Sequence, residues 1–118
     1  MHGDPASHEL WQQRATMALA SAQRAGRTMT YAELADAATV PPPHRIHTLT
    51  LWLEDSMRTD AETGMPLRAA LVISRNRNGL PAPGFFDLCR SLGLYDGPAR
   101  GRNAATFHQD MLNRLFTA

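Results

Sequence analysis

Three consecutive prolines, Pro41, Pro42 and Pro43, stand between two stretches of helical character. Each lacks a backbone N–H and has a fixed φ, so no helix can run through them. The chain must therefore make two separate elements here, joined by a stiff connection. Before the prolines, Thr30-Tyr31-Ala32-Glu33 has the form of a capping box, in which a threonine hydroxyl and a glutamate three residues on satisfy each other's backbone N–H. The helix it opens continues through Leu34, Ala35 and Ala38 and is short. After the prolines, a helix from Pro43 or His44 to about Asp60 is expected to bury Ile46, Leu49, Leu53 and Met57, at spacings of three, four and four, with Trp52 beside them. Its opposite face carries Arg45, Thr48, Leu51 and Asp55, and Arg45 sits between His44 and His47 at its mouth.

The rest of the chain supports these two elements. Asp4 and Pro5 suit the start of a first helix, in which Trp11, Ala15, Ala18 and Ala22, with Leu10, Met17 and Leu19 beside them, form one apolar stripe and Gly26 is the stop. LRAALVIS, residues 67–74, reads as a strand, and RNRNG, residues 75–79, as a basic turn. FFDLCRSLG predicts a compact helix, with Phe85, Phe86, Leu88, Cys89 and Leu92 turned largely inward and Gly93 ending it. A final helix over AATFHQDMLNRLF presents Phe107, Met111 and Leu115 on one face. Three helices, a strand and a basic turn follow the order of a winged helix-turn-helix. The second wing strand would fall in residues 79–84, which are too rich in proline to favour one. The expected fold is thus mainly α with a small β element, a winged helix-turn-helix-like single domain over residues 1–118, with 1–6 and 95–103 flexible.

Composition narrows the function classes. No run of about 18 apolar residues exists to span a membrane. Cys89 is the only cysteine, which excludes an internal disulfide and fits a reducing compartment. With no secretory pattern at the start, the expected location is the cytoplasm. The formal charge is +1, but it is unevenly distributed. Residues 1–65 hold five arginines against eight acids, a net −3, whereas residues 66–118 hold seven against three, a net +4. Every basic residue is arginine, which fits both the drift of a GC-rich bacterial genome and recognition of phosphate or carboxylate. No Ser-His-Asp arrangement, phosphate loop or metal set is present, so neither an enzyme nor a cofactor is expected. His44 and His47 have metal-compatible spacing but no further ligands to complete a site. Cys89, among Phe85, Phe86, Leu88 and Leu92, reads as a small core hydrophobe.

The stretch from Thr30 to Arg45 resembles the DNA-binding domain of alkylguanine-DNA alkyltransferases and the related non-catalytic alkyltransferase-like proteins. Tyr31, Pro41 and Arg45 stand at the family's relative spacings. In that family the tyrosine presses on the backbone at a flipped nucleotide, and the arginine fills the vacated stack from the minor groove. The resemblance implies those roles for Tyr31 and Arg45. The family's active segment should fall near Pro66, where Pro-Leu-Arg-Ala stands without cysteine or histidine, so alkyl transfer is not implied. The later GLPAPGF stretch is similar to a group of small uncharacterised bacterial proteins, which adds a fold expectation and no activity.

The expected function is therefore non-enzymatic binding of double-stranded DNA, regulatory in kind. Tyr31, His44, Arg45, His47 and Thr48 would face the duplex, and Arg75, Asn76 and Arg77 would hold its phosphates. Glu54, Asp55, Asp60 and Glu62 would repel DNA from the far end of the third helix. The alternative is a protein-binding inhibitor, immunity or adaptor protein of a mobile element, using the acidic rim, Leu51 and the GLPAPGFF segment. Arg45 has a structural alternative as well, an ion pair with Glu33 or Asp36 on the preceding helix.

Overall fold

In the computed structural model, which describes residues 5–118, the prolines separate two helices as their chemistry requires. Helix α1 (Pro5–Ala25) leads into a two-residue strand β1 (Met29–Thr30), helix α2 (Tyr31–Ala38) and helix α3 (Arg45–Glu62). A 3₁₀ turn (Arg68–Leu71), strand β2 (Val72–Ile73), helix α4 (Pro83–Ser91) and helix α5 (Arg102–Phe116) complete the order. Asp4, expected to cap α1, lies outside the described residues, as do residues 1–4 of the stretch expected to be flexible. The chain is mainly helical, with a small two-stranded parallel sheet, in one compact domain of radius of gyration 13.9 Å.

The capping box forms as the sequence predicts. The Glu33 N–H donates to the Thr30 hydroxyl at 3.1 Å, and the Thr30 N–H donates to the Glu33 carboxylate at 2.8 Å. Thr30 thereby ends β1 and caps α2 at once, which ties the start of α2 to the sheet. In that sheet Met29 pairs with Val72 and Thr30 with Ile73.

The expected strand over 67–74 is corrected. Residues 68–71 wind into a 3₁₀ turn that buries Ala69, Ala70 and Leu71, and only Val72 and Ile73 pair as a strand. A short apolar run has no period that separates the two conformations. No strand follows the basic turn; the partner of β2 comes from before α2.

The core joins one face of each helix. Trp11, Ala15, Leu19 and Ala22 of α1 meet Leu34, Ala35 and Ala38 of α2 and Leu49, Leu53 and Met57 of α3, while Phe86 and Leu112 close it from α4 and α5. Trp11 and Trp52 pack edge to face at 5.8 Å. Each buried leucine- or phenylalanine-sized side chain contributes about 1.5–3 kcal/mol. Three residues expected on apolar faces are corrected: Leu10, Met17 and Ile46 are 46%, 70% and 44% exposed. The groove between α2 and the start of α3 is open, and Ile46 forms part of its wall beside Pro42 and Arg45.

Candidate nucleic-acid interface

At the exit of α2 the helix ends on Thr39, in the left-handed region at φ 57°. The Val40 N–H returns to the Ala35 carbonyl at 3.1 Å and the Thr39 N–H to Asp36 at 3.2 Å. Arg45, one residue past the left-handed His44 (φ 61°), folds back onto this end. Its Nε donates to the Val40 carbonyl at 2.7 Å, Nη2 to the Ala35 carbonyl at 2.8 Å and Nη1 to the Asp36 carboxylate at 3.0 Å. A cation is favourable at a helix C-terminus, where carbonyls lack partners within the helix. Arg45 therefore brackets α2 and α3 together, and of the two carboxylates considered for it the partner is Asp36.

The bracket leaves the rest of the α3 start in the open. His44 and His47 are exposed, Thr48 is half-buried, and no side chain caps the first turn of α3. Backbone N–H groups and the positive end of the helix dipole point outward there, an arrangement suited to an anion.

Tyr31 and Arg77 also turn inward. The Tyr31 hydroxyl accepts from the Ala82 N–H at 3.0 Å, and burial pushes its pKa above the ordinary 10.0. The Arg77 guanidinium donates to the Pro81 carbonyl at 2.9 Å and also to the Ala99 carbonyl. These two side chains pin the segment after the basic turn against α2 and the loop before α5. Tyr95, stacked on Phe107 at 4.6 Å, and Arg90, donating to the Gly97 carbonyl at 2.9 Å, tie the same loop down.

The turn itself faces solvent. Arg75, Asn76 and Asn78 are exposed, with Asn78 left-handed at φ 56°. Arg75 and Arg27 lie near the start of α2. The Thr30 backbone N–H and then its hydroxyl hold the Glu33 carboxyl below its ordinary value, and the charges of Arg75 and Arg27 add to this.

The eight expected site residues thus divide. Tyr31, Arg45 and Arg77 make the internal bonds that shape the face, and His44, His47, Arg75 and Asn76 are open to a partner, with Thr48 between the two groups. Arg27 joins the open group; its proximity depends on the β1–α2 junction, for which the sequence carries no signal beyond the capping box.

Asp60 does not belong to the acidic rim, which is a correction. Its side chain is 7% exposed and accepts from the Arg68 backbone N–H at 3.1 Å and from Arg68 Nε at 3.0 and 3.2 Å. Its position was legible, since it continues the Leu53–Met57 stripe by three residues. The rim that remains is Asp55 and Glu62, with Glu54 half-buried.

Two further groups are buried inside. Cys89 is 0% exposed and packs as a core residue, and burial pushes its thiol up to about 12. His108 bonds through Nε2 to the Ala70 carbonyl at 2.8 Å, and desolvation lowers its pKa below 6.5. Among the described residues, no cluster of three or more His, Cys, Asp and Glu side chains is arranged to hold a metal, and no helix is long and apolar enough to cross a membrane. Comparison with family models, curated proteins and solved structures finds no match to the chain.

Proposed function

We propose that the protein is a non-enzymatic DNA-binding protein of the winged-helix type, which approaches a duplex with the start of α3 and the turn at residues 75–79. The observation that carries this reading is the Arg45 bracket. It fixes the angle between a short helix and a longer one while leaving the first turn of the longer helix uncovered. In helix-turn-helix docking the N-terminal residues of the second helix make the contact. His44 and His47 are placed for it, and Ile46 offers an apolar group to a base edge. Arg75, Asn76 and Arg27 would lie along the phosphates, which position a protein without reading sequence. The resemblance to alkyltransferase-like proteins supports the same face, although Tyr31 and Arg45 would then shape it from inside.

A second reading, a protein-binding adaptor or inhibitor, is favoured by one observation: Leu51 and Met17 are 51% and 70% exposed. The GLPAPGFF segment does not serve that reading, because Leu80, Pro81, Phe85 and Phe86 are buried. Amide chemical-shift mapping with a short DNA duplex tests the first reading. Shifts at His44, Ile46, His47, Arg75 and Asn76 are expected. No response to DNA, or shifts gathered around Met17 and Leu51, would count against it.

A further inference from the structure

The last turns of α1, α3 and α5 converge on a cavity of about 260 Å³, at the far end of α3 from the DNA face. Gln23, Asp60 and Leu115 come from those turns, Met65, Pro66 and Arg68 close the cavity from the connection after α3, and Ala118 lies at its edge beyond α5. Three features of its lining set the chemistry of an occupant.

The first is the ion pair between the buried Asp60 carboxylate and the half-buried Arg68. Arg68 holds Asp60 through Nε and its own backbone N–H, so the two terminal NH₂ groups of the guanidinium make no hydrogen bond among the described residues. That edge is the planar fork which matches a carboxylate with two parallel bonds. The second is the negative side of the cavity. Helix C-termini carry partial negative charge, and three of them meet here beside the Asp60 carboxylate. Gln23 donates through Nε2 to the Leu115 carbonyl at 2.8 Å, which leaves its amide oxygen as a further acceptor. This side favours a cationic donor. The third is the apolar wall of Met65, Pro66 and Leu115.

A plain carboxylate would answer the fork but place an anion beside Asp60 and the helix ends. A plain amine would answer Asp60 and leave the fork unused. One small molecule that answers both carries a carboxylate and an ammonium on the same carbon. We propose that this cavity binds a free α-amino acid with an aliphatic side chain, as its zwitterion. The carboxylate lies on the Arg68 fork, the ammonium toward Asp60 and Gln23, and the side chain against Met65, Pro66 and Leu115. The volume falls just below the roughly 300–1,000 Å³ of ordinary ligand pockets, which restricts the occupant to one small molecule. The inference is independent of the DNA reading.

The test is a titration of the whole chain followed by amide chemical shifts, with three probes: L-leucine, 4-methylpentanoate, which lacks the ammonium, and 3-methylbutylamine, which lacks the carboxylate. Leucine should give saturable shifts at Gln23, Asp60, Arg68 and Leu115, and each analogue should bind at least about tenfold more weakly. Leu115→Trp, which fills the cavity, should abolish the response. Because that change risks the fold, Met65→Trp at the exposed rim provides a second block and should also abolish it. An absence of saturable shifts would overturn the proposal. So would an analogue that binds as well as leucine, or a full response in a folded Met65→Trp protein.

Discussion

Arg45 commits all three guanidinium nitrogens to one helix end, two of them to backbone carbonyls. Hydrogen bonds from a charged group contribute more than neutral ones, and truncating Arg45 would strip those carbonyls of their donor. The side chain is 36% exposed, so water would recover part of the loss. Arg45→Ala is expected to lower stability by about 1–2 kcal/mol, read from the denaturant midpoint. An unchanged midpoint would mean that the bracket contributes nothing. His108 gives a second prediction at this scale. Its folded pKa lies below the 6.5 of the unfolded chain, so between those two values the unfolded state binds more protons. The contribution of neutral His108 is complete above pH 6.5 and declines as pH falls from there toward the folded value. His108→Gln keeps an N–H for the Ala70 carbonyl and cannot take up the proton. Melting temperatures recorded across this window should therefore slope downward with acid in the native chain and flatten in the variant. Equal slopes would remove His108 from the pH response.

Helix ends carry much of the design of the elements. The closing turns of α1 and α4 reach Gly26 and Gly93 at φ 67° and 73°, with the next N–H returning to the carbonyl five residues back. The end of α2 makes the same bonds around Thr39, a β-branched residue strained in that conformation. Thr39→Gly should therefore raise stability, by about 1 kcal/mol before the greater freedom of glycine in the unfolded chain offsets part of it. Equilibrium denaturation checks this, and a less stable variant would contradict it. The same scale separates what the sequence could and could not reveal. The capping box, the proline break and the stripes of α1 and α5 rest on contacts within a few residues, and each was legible. The β1–β2 pairing joins residues 43 apart through two-residue strands, too short to leave a periodic signal. Arg45 and Arg77 looked like free surface charges because the carbonyls they reach are main-chain atoms, present at every position and invisible in a pattern of side chains. Ile46 fits the α3 stripe, but the groove beside it is left open, and no periodicity reports where a neighbouring helix ends.

For the whole molecule, the basic bias of residues 66–118 is partly consumed by partners within the chain. Arg68 pairs with Asp60, Arg77 holds two carbonyls, and Arg90 holds Asp87 and the Gly97 carbonyl. Arg75, Arg100, Arg102 and Arg114 remain exposed, the last on α5. The electrostatic footprint offered to a duplex is therefore small, and binding should be modest and non-specific in its phosphate component. Each phosphate neutralised on B-DNA contributes about 0.9 to the slope of log affinity against log salt. The most direct test is that slope, measured by fluorescence anisotropy on a labelled duplex for the native chain and for Arg75→Ala. Binding at low salt that weakens steadily with added salt is expected, with the slope shallower by about 1 in the variant and its fold unchanged. No binding to duplex DNA at low salt, or the same slope in both proteins, would contradict the assignment of this face to DNA.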